Sequence, residues 1–363
     1  MKELQYPIAP PLLGWFQATR RSLPFRDDPT PYHIWVSEIM LQQTRMAAVL
    51  PYYKRFMDAL PDVYALAECD PEKLAKLWEG LGYYSRVRNL QKAAQVVCER
   101  YGGELPRSYE ELLTLPGIGA YTAGAIASIS MGIPVPAVDG NVLRVFARLY
   151  DDDRDVLLPE IKGEITERVK AQLPADAAGD FNQALMELGA LVCTPRSPDC
   201  ARCPLRDLCA GAEARGELVE ELPVKTKKKP RTAVDVTVLL VHSPMGWLVT
   251  KRPAKGLLAG LWQPLTAEKC CTEEEMLSLA GKLGVKARIT APLPAAKHIF
   301  THVEWTLCGW MAETETAVPL PEGAAWMQDL ETYPIPSAFR AYTPIMGEGL
   351  PVRGTESVAE NDI

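Results

Sequence analysis

Two fold classes follow one another along this chain of 363 residues: an all-α domain, then a smaller α+β domain. Three observations predict that division. Apolar residues recur at helical spacing from about Leu12 to Leu191. From Val234 the period is instead that of strands. Between them, Gly216 to Arg231 carries no periodicity and ends in Lys-Thr-Lys-Lys-Lys-Pro-Arg, the composition of a linker. The expected boundaries are 1–215 for the helical domain, 216–231 for the linker and 232–350 for the second domain, with a loose tail at 351–363. The length suits two domains of ordinary size, and no internal repeat is visible.

In the helical part, Leu12 to Arg20 is a short amphipathic segment. Thr30-Pro31 is a cap followed by proline in the first turn, which predicts a helix to about Thr44. Further helices are expected at about 51–60, 71–80, 85–101, 108–114, 120–130, 141–150, 160–172 and 180–191. Gly80-Leu81-Gly82-Tyr83-Tyr84 reads as a loop with outward-facing apolar residues. In the second part, 234–241, 247–251 and 303–311 read as strands and 271–283 as a helix.

Composition narrows the function. The net charge of −7 argues against simple polyanion binding, but its distribution is uneven. Residues 1–231 carry 29 Lys/Arg against 31 Asp/Glu, and residues 232–363 carry 10 against 15. Basic residues of the first part cluster at Arg20/Arg21/Arg26, Arg86/Arg88, Arg144/Arg148, Arg196/Arg202/Arg206 and Lys225 to Arg231, a strip able to meet phosphates. No apolar run reaches the length of a membrane span, and the N-terminus lacks signal-peptide character, so a cytosolic chain with no membrane partner is expected. In that compartment the nine cysteines are ligands or free thiols, not disulfides.

Three constellations carry chemistry. Leu115-Pro116-Gly117-Ile118-Gly119 turns sharply into a helical run and leaves backbone N–H groups outward, a phosphate-binding arrangement. Val138-Asp139-Gly140-Asn141 opens the next helix. On these residues alone, a glycine turn with Asp139 as an N-cap is an equal reading. Glu38 has Ile34, Trp35 and Leu41 on its helical face, an apolar setting for a carboxyl group. Cys193, Cys200, Cys203 and Cys209 form C-x6-C-x2-C-x5-C, bent by Pro198 and Pro204. Spacing alone leaves zinc, an iron–sulfur centre or free thiols open. Cys69, Cys98, Cys270, Cys271 and Cys308 have no ligand spacing.

Together, hairpin, Asp139, Glu38 helix and cysteine spacing resemble the helix-hairpin-helix DNA glycosylases with a [4Fe–4S] loop. Val36-Ser37-Glu38-Ile39-Met40-Leu41-Gln42-Gln43-Thr44 resembles the adenine DNA glycosylases of the MutY family. The resemblance covers residues 12–210 and, more weakly, 232–345. It implies a helical barrel at about 27–132, a cluster subdomain from 1–26 and 133–215, and removal of adenine mispaired with 8-oxoguanine or guanine in double-stranded DNA. It implies a cluster held by the four cysteines, Glu38 as general acid at adenine N7, Asp139 as the charge facing the cationic sugar, and Asn141 orienting Asp139. The resemblance further implies Gln43 and Tyr83 entering the base stack with Leu81 beside them, Thr44 at the orphaned base, and Arg26, Leu41 and Gln183 lining the adenine pocket. Gly117 and Gly119 would hold the DNA backbone, and such an enzyme would act as a nucleoid-associated monomer. Bifunctional relatives carry lysine where this chain has Tyr121. That departure predicts a glycosylase leaving an intact abasic site.

Lys251-Arg252-Pro253 and Gly256 to Trp262 resemble a Nudix-type fold. Glu273-Glu274-Glu275-Met276 lacks the magnesium-binding signature of the hydrolases, so the second domain is expected to read 8-oxoguanine. The late loop is Phe300-Thr301-His302 where the family usually has Phe-Ser-His. His298 and His302 without a third ligand do not make a metal site. The alternatives are a glycosylase for thymine, uracil or oxidised pyrimidines, which lacks such a second domain; a DNA-binding scaffold, which needs neither Glu38 nor Asp139; and a nucleotide-pyrophosphate hydrolase, opposed by the missing signature.

Overall fold

The structure, a computed structural model, describes residues 7–226 and 230–348. The expected loose tail at 351–363 lies outside them, as do Lys227 to Lys229 of the basic run. The chain divides into two compact units, residues 1–69 with 85–228, and residues 70–84 with 229–363.

The first unit is helical. Its central helix, Pro31–Leu41, starts where the sequence predicts, with Thr30 Oγ1 accepting from the His33 amide at 3.2 Å. Every residue from Tyr32 to Met40 except His33 is buried, the signature of a helix enclosed on all sides. It ends at Leu41, not near Thr44, because Gln43 adopts a left-handed φ of 59° that cannot continue an α-helix. The next helix runs Met46–Ala59 and therefore begins before Pro51, which sits inside it. One proline there deletes a single intrahelical bond, so Pro51 marks no start. Ser85–Tyr101, Gly140–Leu149, Pro159–Gln172 and Ala178–Leu191 lie close to expectation. The run after the hairpin is α-helical at Ala120–Ala125 and then opens into a π turn, Ile126–Ser130.

One core joins the beginning of the chain to its middle: Leu12 and Phe16 of helix Ala9–Thr19 pack with Val142, Phe146, Phe181 and Leu185. The segment after Gly216, expected as bare linker, starts with a 3-10 turn at Gly216–Glu221 and buries Val219 and Leu222, whose apolar side chains complete this unit.

The second unit is built on a mixed sheet with seven strands among the described residues: β1 (Thr232–Ser243), β2 (Gly246–Lys251), β3 (Trp262–Ala267), β4 (Arg288–Pro292), β5 (Ala296–Ile299), β6 (Val303–Glu313) and β7 (Ala324–Met327). The order is β4-β6-β1-β3-β2-β7, with β5 also on β6. β1 and β6 pair in parallel from Thr232↔Val303 to His242↔Glu313, and the other pairs are antiparallel. Alternate β1 residues face two cores. Val236, Val238 and Leu240 meet Trp305 and Phe339, whereas Leu239 and Val241 meet Met276 and Ala280 of helix Glu273–Lys282. Thr272 caps that helix in a capping box with Glu275.

Residues 70–84 belong to this unit by real bonds. Lys76 Nζ donates to the Leu330 carbonyl at 2.7 Å, Glu79 Oε1 accepts from the Ile335 amide at 2.8 Å, and Glu72 Oε1 accepts from Lys251 Nζ at 2.7 Å and Trp262 Nε1 at 3.2 Å. The expected helix at 71–80 is Pro71–Leu77. Trp78 and the glycine-rich turn follow, with Gly80 and Gly82 at positive φ.

Candidate active site and nucleic-acid interface

Glu38 is 6% exposed, in the middle of the buried central helix. Loss of water pushes its carboxyl up from 4.5 to about 7. The Tyr121 hydroxyl, which donates to Glu38 Oε2, opposes that rise; the negative charge of Asp139 adds to it, and the positive charge of Arg26 subtracts. Tyr121 is itself buried, its own ionisation is pushed well up, and its oxygen lies 3.2 Å from Met186 Sδ. A phenol held neutral in this way is a hydrogen-bond donor and not a nucleophile.

Sequence reasoning missed the partner of Arg26. Glu187, on helix Ala178–Leu191, accepts from Arg26 Nη2 at 2.8 Å and from Arg21 Nε and Nη2 at 2.6 and 2.8 Å. Burial pushes the Glu187 carboxyl up, but these hydrogen bonds outweigh it and hold the group below the ordinary range. Two buried carboxyls therefore differ in state: Glu38 retains a proton near neutrality and Glu187 is ionised. The available signal was local, a glutamate inside Leu-Met-Glu-Leu, four residues after Gln183 on the same helix face. Gln183 and Leu41 are half-buried.

Asp139 is the N-cap of helix Gly140–Leu149: Oδ1 accepts from the amides of Asn141 and Val142 at 2.9 and 2.8 Å. The amides that hold it are thus those of its own helix. A helix N-terminus already presents such donors to the residue before it. Asn141 Nδ2 donates to Asp139 Oδ2 at 2.7 Å. Burial holds the Asp139 carboxyl above its ordinary value; its hydrogen bonds to Val142 and Asn141, then the charge of Arg144, offset only part of that rise. Arg144 continues the chain inward, from Asn141 Oδ1 at 2.9 Å to the carbonyls of Gly189 at 2.7 Å and Cys193 at 2.8 Å. Arg144 and Arg148 are 6% and 1% exposed, so they bind backbone carbonyls and are not part of a phosphate strip. The loop before Asp139 hangs on Asn182, which accepts from the Ala137 amide and donates to Ser128 Oγ and the Val135 carbonyl.

In the hairpin, Leu115 and Ile118 are buried while Gly117, Gly119 and Ala120 are exposed, which turns backbone outward at a helix start. Gly117 has φ 78°, and a Cβ there would meet Asn89 Cβ at 2.7 Å. Gln43 projects from its turn, exposed, with Thr44 half-buried beside it.

Cys193, Cys200, Cys203 and Cys209 line one cavity with Val192, Pro198 and Arg148. Cys203 lies within electrostatic reach of the other three thiols. Arg148 Nη1 donates to Cys193 Sγ at 3.4 Å and to the Thr194 carbonyl at 2.7 Å, and Cys209 Sγ lies 3.5 Å from the Arg148 carbonyl. Four convergent sulfurs, a water-poor wall and the guanidinium groups of Arg148 and Arg206 fit a thiolate-ligated iron–sulfur cluster.

In the second unit, Tyr83 is exposed at φ 49°, and its hydroxyl lies 2.7 Å from Thr301 Oγ1. Leu81, expected to face outward, is 7% exposed, because this turn folds back under Trp78, whose Nε1 donates to the Gly82 carbonyl at 3.1 Å. Phe300 packs edge-on to Trp305 at 5.0 Å and His298 at 4.5 Å, and His302 is exposed. Glu273 and Glu274 are exposed at the start of their helix and Glu275 is bonded to Lys269 and its own cap.

Residues 36–174 match the HhH-GPD superfamily base excision DNA repair proteins, residues 193–209 the iron-sulfur binding domain of endonuclease III, and residues 236–343 the NUDIX domain. The chain is 35% identical to the adenine DNA glycosylase of Mus musculus over 87% of its own length and 73% of that protein's. It is 30% identical to that of Schizosaccharomyces pombe over 88% and 85%. A thermostable thymine-DNA glycosylase superposes with a TM-score of 0.51 at 30% identity, covering 56% of this chain and 94% of that one. A trapped endonuclease III–DNA covalent intermediate superposes equally, at 0.51 and 27% identity, over 59% and 99%. With a buried acid, a capped carboxylate, four converging cysteines and relatives matched over most of its length, this chain belongs to the adenine DNA glycosylase family, as a DNA-binding glycosylase with a [4Fe–4S] cluster and a Nudix-like second domain.

Proposed function

We propose that this protein removes adenine mispaired with 8-oxoguanine or guanine in duplex DNA by hydrolysing the N-glycosidic bond, leaving an abasic site. The observation that carries the reading is the pairing of a carboxyl held protonated to about pH 7, Glu38, with a second carboxylate, Asp139, fixed by helix amides within its electrostatic reach. The bond cannot be reached inside a duplex, so the nucleotide is flipped out at a cost of a few kcal/mol. Adenine departs once its ring is protonated, and the sugar passes through an oxocarbenium-like state. Glu38 delivers the proton to N7 and then, as carboxylate, activates water. Asp139 stabilises the cationic sugar, with Asn141 and two amides keeping it in place. Arg26, fixed by Glu187 and the Arg21 carbonyl, keeps its positive charge within electrostatic reach of Glu38.

Cys193, Cys200, Cys203 and Cys209 would hold the cluster. Their bonds to it would fix the loop in which Arg196, Arg202 and Arg206 meet the DNA backbone. Thr44 and the Phe300-Thr301-His302 loop read the orphaned base, and Gln43 and Tyr83 enter the stack. Excision assays on otherwise identical duplexes carrying A:8-oxoG, A:G, T:G and U:G test the assignment. Activity on the adenine duplexes alone, higher for 8-oxoguanine, is expected; preferential cleavage at T:G or U:G refutes it.

A further inference from the structure

We infer that Arg86 is a positioning residue that locks the Gln42-Gln43-Thr44 turn in the conformation with which the protein enters the base stack. The inference rests on the role proposed above for Gln43. The last carbonyls of any α-helix lack intrahelical partners and carry partial negative charge. At the end of the Glu38 helix those carbonyls converge on one nitrogen. Arg86 Nη1 shares its two hydrogens among the carbonyls of Ile39 at 2.8 Å, Met40 at 3.1 Å and Gln42 at 2.6 Å. The third of these bonds lies beyond the helix, on the residue before Gln43, so the guanidinium spans from helix into turn. Arg86 itself is anchored in the second position of helix Ser85–Tyr101. Sequence reading placed it in the phosphate-binding strip; this arm of its guanidinium is engaged with backbone.

The turn needs such a clamp. Gln43 has φ 59°, a left-handed conformation that costs a non-glycine residue about 1 kcal/mol or more unless its surroundings enforce it. The other contacts on the turn are slight: Gln42 Nε2 to Thr122 Oγ1 at 3.3 Å, the Thr44 amide to the Leu41 carbonyl at 3.2 Å and the Thr44 hydroxyl to the Gln42 carbonyl at 3.4 Å. Beside Gln42 lies a cavity of about 220 Å³ lined also by Ile39, Arg86, Asn89 and Gly117, so that side of the turn is not closely packed. A turn fixed before DNA arrives avoids the ordering cost of about three residues on binding, so its release weakens engagement about tenfold or more.

The test is a double-mutant cycle on the full-length protein with its cluster. Arg86→Met and Arg86→Lys are made in the wild-type and Gln43→Ala backgrounds. The readouts are affinity for an A:8-oxoG duplex with a non-hydrolysable adenine nucleotide, single-turnover excision rate against pH, and melting temperature. Arg86→Met should weaken affinity and slow excision about tenfold below the melting transition, with the pH profile of the rate unmoved. Arg86→Lys should recover most of the loss, because an ammonium also concentrates its donors on one nitrogen. In the Gln43→Ala background, Arg86→Met should cost less than about threefold, the remainder having been lost with Gln43. An equal loss in both backgrounds, or a displaced pH profile, overturns the inference, since Arg86 then acts elsewhere. If Arg86→Met does not fold, Arg86→Gln is carried through the same cycle under the same criteria. A wild-type protein inert on adenine mispairs would overturn the functional reading itself, whereas background-independent loss in an active enzyme overturns only the role of Arg86.

Discussion

Removing the Tyr121 hydroxyl should move the pH dependence of excision upward. The phenol donates to the carboxylate of Glu38, so it favours the charged form and holds back a carboxyl that burial has pushed up to about 7. A hydrogen bond to a charged group contributes about 1.5–3 kcal/mol, or about one to two pH units. In Tyr121→Phe, the alkaline limb of the single-turnover rate, which reports loss of the Glu38 proton, should therefore rise from near pH 7 by about one unit. The position of the limb, not the height of the plateau at low pH, is the quantity read. Stability gives a second view of the same group. Between the unfolded value of 4.5 and the folded value of about 7 the native state binds the extra proton, so stability falls as pH rises through that window. The total is about 3 kcal/mol, present as a penalty above pH 7 and absent below pH 4.5. Glu38→Gln cannot deliver a proton and should abolish excision while retaining duplex binding. Its stability relative to wild type should improve between pH 5 and pH 8, measured by denaturant unfolding. A limb that stays in place or falls in Tyr121→Phe, or a Glu38→Gln variant with a pH-independent stability difference, would refute this account of the acid.

Four further outcomes follow from the geometry. Asp139→Asn should slow excision by several orders of magnitude in single-turnover assays and, by removing a negative charge, lower the Glu38 limb; a loss below about tenfold would reduce Asp139 to a helix cap. Gly189→Ala should slow excision by about tenfold or more with DNA binding preserved, because its Cβ would sit 2.6 Å from Asn141 Cβ and displace the side chain that orients Asp139; an unchanged rate would show that Asn141 is dispensable. Cys200→Ala should lose iron and DNA affinity together, by metal analysis and binding titration, and a wild-type preparation containing zinc in place of iron would contradict the cluster assignment. Borohydride should trap little protein on DNA, with strands breaking only after alkali; efficient trapping in neutral buffer would mean that a lysine serves where Tyr121 stands.

The sequence by itself determined the chemistry available. A glutamate among Ile34, Trp35 and Leu41, a glycine hairpin, an Asp-Gly-Asn helix start and four spaced cysteines are each written within a few to about twenty residues, where helical period and turn preference apply. The change of period after the linker likewise announced a second domain. What only the tertiary structure decided involves partners far apart in the chain. Glu187 meets Arg21 and Arg26 across more than 160 positions, and Tyr83 meets Thr301 across 218. Arg86 reaches the Gln42 carbonyl across 44, which turned an apparent phosphate contact into a backbone clamp. Charge patterning cannot separate a solvated arginine from one buried against carbonyls, because both look alike until the helices pack. For the same reason the opposite states of Glu38 and Glu187 were invisible in the chain. Each sits in an apolar helix, and what separates them is that packing supplies two guanidinium groups to one carboxyl and a single phenol to the other.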